Sequence, residues 1–255
     1  MKEKQKSISK IREEFEAASM EKLPSLYQEY QEDLRAGVRS LIEKYRKKEA
    51  ALGKEKARTE QMKFYEKQSE SRGYVCGIDE VGRGPLAGPV VAGAVILPRD
   101  CQILYLNDSK KLTAKKREEL YDVIMDQAVA VGIGHVSPAR IDEINILQAT
   151  YEAMREAISK LPIQPDVLLN DAVTIPGVNI YQVPIIKGDG KSVSIAAASI
   201  IAKVTRDRLM VEYDREIPGY GFASNKGYGS EQHIEALKKY GPSPIHRKTF
   251  LTHFL

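Results

Sequence analysis

Proline and glycine are distributed unevenly along this chain, and that constrains its fold more than any other feature. Residues 1–72 contain one proline, Pro24, and two glycines, Gly37 and Gly53; the other 11 prolines and 16 glycines lie from Gly73 onward. A stretch so poor in breakers suits helices, while short apolar runs punctuated by turn formers suit an α/β fold. The charge balance changes at the same place. Residues 1–72 hold 18 Lys/Arg and 14 Asp/Glu, a net of +4, and the rest hold 21 of each, a net of zero. A boundary between Arg72 and Gly73 divides the chain into a helical, net-basic extension, 1–72, and a larger domain, 73–255.

With 42% hydrophobic residues in 255, there is enough apolar side chain for a packed core. Two cysteines, Cys76 and Cys101, are too few for a disulfide framework or a cysteine-rich zinc site. No apolar run reaches the roughly 18 residues that span a bilayer, and the opening Met1-Lys2-Glu3-Lys4-Gln5-Lys6 does not read as a signal peptide. A reduced, soluble, cytoplasmic monomer with no membrane partner is expected.

In the extension, Ile8, Ile11 and Phe15 recur at helical spacing. After Pro24, a second stripe runs through Tyr27, Tyr30, Leu34, Val38, Leu41 and Tyr45. Apolar residues thin out over 54–70, which reads as a charged helix or a linker. The excess of cations fits either a solvated helix face or a surface that attracts phosphate.

From Gly73, strands are expected over 74–78, 90–97, 129–136, 166–170 and 180–186. Helices are expected over 113–127 with Thr113 as N-cap, 138–160 in two pieces, 192–216 and 230–240. The first half of the 192–216 helix is small and apolar, so it can lie close against a sheet. A mixed sheet flanked by helices follows.

Two phosphate-binding motifs fail on context. Gly82-Arg83-Gly84-Pro85-Leu86-Ala87 matches a dinucleotide fingerprint, but Pro85, Pro89 and a β-branched run follow it instead of a helix. Gly190-Lys191-Ser192 resembles the end of a P-loop, but Ile185 stands where its first glycine belongs. His135, His233, His246 and His253 have no ligand spacing.

The acids say more. Asp79 and Glu80 close one apolar strand, Asp171 closes another, and Asp189 follows a third by a short turn. Carboxylates where buried strands end are costly unless paired or bound to cations. Carboxyl ends of parallel strands are also where sites form. If the four converge, they suit hard divalent cations such as Mg²⁺ or Mn²⁺, and two such ions can clamp a phosphodiester. On spacing alone, strand-end caps and salt-bridge partners fit equally well.

The block Gly77-Ile78-Asp79-Glu80-Val81-Gly82-Arg83-Gly84-Pro85-Leu86-Ala87-Gly88-Pro89-Val90-Val91 resembles the signature of ribonuclease HII, the bacterial type 2 ribonuclease H. Three more stretches agree, in the family's order: Asn107-Asp108-Ser109-Lys110-Lys111-Leu112; Lys187-Gly188-Asp189 with Ala197-Ala198-Ser199-Ile200-Ile201-Ala202-Lys203-Val204-Thr205-Arg206-Asp207; and Lys226-Gly227-Tyr228-Gly229. The resemblance implies a ribonuclease H-like mixed β-sheet flanked by helices. It implies hydrolysis of RNA in RNA–DNA hybrids and incision 5′ of single ribonucleotides embedded in duplex DNA, leaving 3′-hydroxyl and 5′-phosphate ends, as in ribonucleotide excision repair. The family's metal-binding acids fall on Asp79, Glu80, Asp171 and Asp189. Two Mn²⁺ or Mg²⁺ ions would activate the attacking water and stabilise the leaving 3′-oxygen. The ribonucleotide-sensing motif falls on Gly82, Arg83 and Gly84, whose main chain would meet the 2′-hydroxyl. The substrate tyrosine falls on Tyr228. Ser109, Lys110 and Lys187 look like phosphate contacts, with Lys191, Lys203 and Arg206 as weaker candidates.

The relative ribonuclease HIII has a Lys in the Gly-Arg-Gly position and a β-rich N-terminal domain; Arg83 and the helical residues 1–72 favour ribonuclease HII. A non-catalytic nucleic-acid binder would use the same groove without cleavage. Some family members end in a motif for a replication clamp, and Lys248-Thr249-Phe250-Leu251 with His253-Phe254 matches it only faintly.

Overall fold

The computed structural model describes residues 6–252 and 254. Residues 1–5, part of the stretch where no signal peptide is expected, lie outside the described residues, as does His253. The chain forms two compact units, divided in sequence between Arg58 and Thr59.

In the first unit, Ser7 caps α1 (Ile8–Ala17), and α2 (Leu23–Tyr30) follows Pro24. The long α3 (Ala36–Met62) begins here. Ile11, Phe15, Tyr27, Tyr30, Val38, Leu41 and Tyr45 bury together, as their spacing predicts. Leu34 departs from that stripe: it is 74% exposed. Asp33 accepts the Arg35 amide at 3.0 Å, making a turn between α2 and α3 that carries Leu34 outward. Arg39, Lys44, Arg46, Lys47 and Lys48 are exposed on α3.

The second unit takes in the end of α3, the short α4 (Phe64–Ser69) and everything after it. Stretch 54–70 is therefore helical apart from the joint between α3 and α4. Five strands follow: β1 (Val75–Val81), β2 (Val90–Ile96), β3 (Ala130–Val136), β4 (Val167–Asp171) and β5 (Tyr181–Ile185). Their order in the sheet is β3-β2-β1-β4-β5. β2 is antiparallel to both β1 and β3, while β4 is parallel to β1 and β5. Among the described residues, the α-helices after β2 are α5 (Ala114–Gln127), α6 (Pro138–Ser159), α7 (Val193–Glu216), α8 (Phe222–Asn225) and α9 (Glu231–Tyr240). Thr113 caps α5 by accepting the Lys116 amide at 3.2 Å. As expected, α6 is in two pieces: Asn145 turns to φ 67°, and its side chain caps the second piece through Leu147 and Gln148. The four-residue α8 leaves no periodic signal and is absent from the sequence reading.

Alternation sorts the sheet's two faces. Ile78, Ala92, Ala94 and Ala130 pack with α6, and Val95 packs with the small residues of α7. The layers touch closely because glycines face the helices. A Cβ on Gly77 would lie 2.1 Å from the Ser194 carbonyl carbon, and one on Gly93 would lie 2.5 Å from the Ala198 oxygen.

The division between units lies before the change in composition at Arg72 and Gly73, for a physical reason. Met62 is buried in the α7-side core. Glu66 on α4 accepts hydrogen bonds from the Ser192 hydroxyl at 2.5 Å and the Ser194 amide at 3.0 Å, at the first turn of α7. Burial holds this carboxyl above the usual carboxylate range. Residues 59–72 thus have the composition of the extension and the packing of the second unit.

Candidate active site

Asp79 is the next-to-last but one residue of β1 and lies on the α7 face, 7% exposed. The register pairs Ile78 with Asn170, so one step further sets Asp79 beside Asp171. The Glu80 amide donates to Asp79 Oδ1 at 2.8 Å. Asp171 Oδ1 accepts the Gly188 amide at 2.7 Å, which ties the end of β4 to the turn Gly188–Gly190 bearing Asp189. Lys187 enters this turn in the left-handed region, at φ 57°.

The four acids picked from sequence thus converge electrostatically. Burial, then the charges of Glu80 and Asp171, raise the Asp79 carboxyl well above its usual range. Burial and Asp171 raise Glu80, while Arg83 opposes the rise with its Nη1 at 3.3 Å. Burial, then Asp108 and Asp171, raise Asp189. Asp108 is the acid that sequence reasoning missed. Its stretch was legible, but only the fold brings it to Asp189; it also caps the turn Ser109–Lys111 through the Lys110 amide at 2.9 Å.

The substrate-side candidates separate by exposure. Lys110, Lys187 and Lys191 are exposed. Ser109 is buried and accepts from the Ser199 hydroxyl at 2.9 Å, close beneath Asp79. Lys203 pairs with Asp207 at 2.7 Å. Arg206, a weaker phosphate candidate in the sequence, is fully buried and bonded to main-chain carbonyls, so it is not a duplex contact.

The loop joining β1 to β2 carries Gly82, Arg83 and Gly84. Gly82 sits at φ +92°, and a Cβ there would lie 2.3 Å from Arg206 Nε. A Cβ on Gly84 would lie 4.0 Å from Tyr228 Cε1, so the half-exposed Tyr228 ring stands against Gly84. Two of the histidines that lack ligand spacing, His233 and His246, form a relay under Tyr228. The Ser243 amide donates to His246 Nδ1 at 2.9 Å, the two Nε2 atoms lie 3.0 Å apart, and His233 Nδ1 lies 2.8 Å from the Tyr228 carbonyl. These partners assign His246 as the Nε2–H donor and His233 as the Nδ1–H donor, both neutral. Burial pushes His233 down and, with the neighbouring His233, takes His246 to about 4.

At the C-terminus, Asp142 accepts the Lys248 and Thr249 amides, and Leu251 is buried, so 248–251 is folded into the domain. A cavity of about 550 Å³, lined by Glu66, Tyr74, Arg99, Cys101 and Asp166 among others, lies at the amino ends of β1 and β4, away from the acids.

The donor set fits hard divalent cations. It is all carboxylate oxygen, and burial, with the repulsion of neighbouring acids, holds three of the acids above their usual range. Among the described residues no three His, Cys, Asp or Glu side chains are grouped so as to hold a metal ion by themselves. Mg²⁺ does not require such a group, since it keeps waters and takes one or two carboxylates plus substrate phosphate.

A β3-β2-β1-β4-β5 mixed sheet with clustered acids at the carboxyl ends of β1 and β4 defines a ribonuclease H-like hydrolase. The family description "Ribonuclease HII" matches residues 76–253, and "Ribonuclease HII N-terminal domain" matches 7–70. The chain belongs to the ribonuclease HII family. It is an endoribonuclease acting on RNA in RNA–DNA hybrids. Ribonuclease HII of Lachnoclostridium phytofermentans is 63% identical over 244 residues, 96% of each chain. That of Clostridioides difficile is 51% identical, over 98% of this chain and 99% of its own. The solved ribonuclease H2 of Pyrococcus horikoshii OT3 superposes with a TM-score of 0.58 at 30% identity, over 71% of this chain and 98% of its own. Ribonuclease HII of Archaeoglobus fulgidus, solved as a complex with PCNA, gives 0.57 at 28% identity, over 70% of this chain and 94% of its own. Among the described residues no helix is long and apolar enough to cross a membrane.

Proposed function

We propose that the enzyme incises 5′ of single ribonucleotides embedded in duplex DNA, besides cutting the RNA strand of hybrids, and leaves 3′-hydroxyl and 5′-phosphate ends. The observation that carries this reading is the Tyr228 ring against Gly84, on the same strand-end rim as Asp79 and Glu80. Two Mg²⁺ or Mn²⁺ ions, held by Asp79, Glu80, Asp171 and Asp189, would supply an activated water and a charge sink for the leaving oxygen. The chain's own residues do the rest. Main-chain groups of 82–84 approach the ribose and hydrogen-bond its 2′-hydroxyl, the group that separates RNA from DNA. Tyr228 packs on the sugar that follows. Lys110 and Lys187 hold the phosphates on either side.

Cleavage-site mapping on a duplex with one ribonucleotide, in Mg²⁺ and in Mn²⁺, tests this. A single cut on the 5′ side is expected, and absence of cutting in both ions refutes the reading. Tyr228→Ala is expected to lower cleavage at the lone ribonucleotide by roughly tenfold or more, as loss of a stacking contact worth about 1–3 kcal/mol implies; unchanged kinetics remove the tyrosine from the site.

The cations on the N-terminal helices serve as extra phosphate contacts in this reading. Each contact neutralised steepens the salt dependence of binding. Deleting residues 1–58, and not 1–72, is expected to flatten that dependence while leaving cleavage chemistry intact. An unchanged slope assigns the helices to packing or to a protein partner.

A further inference from the structure

Arg206 and Arg247 are fully buried, and among the described residues neither forms an ion pair with a carboxylate. Both donate to main-chain carbonyls alone. Arg247 reaches Gly82 at 2.5 Å, Arg83 at 3.0 Å, and Gly88 through two nitrogens at 2.8 and 2.9 Å. Arg206 reaches Ala87 at 3.0 Å, Pro89 at 2.9 Å and, across to another loop, Lys226 at 2.8 Å. The Leu86 amide donates to the Gly227 carbonyl at 2.8 Å, bonding the same two loops directly.

Burying an unpaired guanidinium is expensive, and an apolar side chain of like volume would fill the space at less cost. What an apolar chain lacks is a rigid fork of donors at fixed spacing. Here the forks grip both ends of 82–89 and the residue two before Tyr228. Burial, with the neighbouring Arg206 charge, takes Arg247 down to about 9, and burial lowers Arg206 as well.

We infer that Arg206 and Arg247 are positioning residues for ribonucleotide discrimination, which set the spacing between the main chain of 82–84 and the Tyr228 ring. The inference rests on the reading of those two features given above. A lone ribonucleotide has one 2′-hydroxyl, which must meet 82–84 while the next sugar meets Tyr228. A continuous hybrid presents a 2′-hydroxyl at every step and tolerates an altered spacing. Loss of the forks therefore falls on the lone ribonucleotide first.

The test compares kcat/KM on a duplex with one ribonucleotide and on a continuous hybrid, for the full chain and its Arg247→Lys, Arg206→Lys and Tyr228→Ala variants. Lysine keeps the charge and loses the fork. Each lysine variant is expected to lose about tenfold or more on the lone ribonucleotide, the scale of a catalytic group misplaced by a fraction of an ångström, and several-fold less on the hybrid. General destabilisation lowers both substrates alike, so equal losses, or no loss, overturn the inference. If Tyr228→Ala changes the ratio and the lysine variants do not, the inference alone fails. If Tyr228→Ala leaves the ratio unchanged, the reading beneath it fails. Should Arg247→Lys not fold, Arg206→Lys decides the comparison.

Discussion

Asp79→Asn is expected to fold, to melt no lower than wild type, and to lose cleavage by about 10³-fold or more, some 4 kcal/mol of transition-state stabilisation. Asparagine is nearly isosteric and keeps an oxygen for the Glu80 amide, which now donates to Asp79 Oδ1 at 2.8 Å. It removes a charge that burial, Glu80 and Asp171 all disfavour. The sign of the stability effect follows from linkage. A carboxyl whose folded pKa is raised stabilises the fold at low pH, and that contribution is lost as pH rises through the raised value. At neutral pH without metal, Asp79 therefore weakens the fold, and the substitution relieves it. On the proposed two-metal reading, divalent cation would reverse the balance, since a ligand at a hundred times its Kd adds about 2.7 kcal/mol. Added Mn²⁺ should raise the wild-type Tm and raise that of Asp79→Asn less. A variant that cuts as fast as wild type refutes the assignment of this acid.

Gly77→Ala is expected to destabilise the protein by at least about 3 kcal/mol, at or beyond the usual upper end for overpacking. The new methyl would sit 2.1 Å from the Ser194 carbonyl carbon and 2.3 Å from its oxygen. Both belong to the main chain of α7, so no side-chain rotation relieves the clash. For a chain of this length the Tm should fall by roughly 6–12 °C. Activity should fall too, since α7 carries Ser199 beside Asp79. Gly190→Ala is the control: its Cβ would meet nothing within 4 Å, and a Tm close to wild type is expected. Calorimetry on the pair decides the point; equal Tm values for both variants would refute the close sheet-to-helix contact.

The sheet was legible in the sequence because its strands are apolar and bounded by glycine and proline, and the helix after β2 because Thr113 announces it as N-cap; in the structure Ser137, Ser192 and Ser230 cap their helices in the same way. The four acids were legible because each sits where an apolar run ends. What the sequence hid are groups whose role depends on distant partners. Asp108 joins the acids only through the fold. His233 and His246 meet at 3.0 Å from separate segments. Arg247 lies outside every stretch that carries the family resemblance, and Arg206, inside one, reads as a surface cation on a helix. Its burial arises from glycines at 82 and 88, whose missing side chains leave room for a guanidinium: a Cβ on Gly88 would lie 3.1 Å from Arg206 Nη2.

The bond from Glu66 to the start of α7 bears on how a minimal nuclease is cut from this chain. Both the change in composition and the match at 76–253 invite a fragment starting near Gly73. Such a fragment lacks the carboxyl that accepts from Ser192 and Ser194. It would leave the α7 amino terminus without that partner, just after the turn that carries Asp189. A fragment starting at Thr59 keeps it, so the border drawn by folding, and not the one drawn by similarity, is where an engineer should cut.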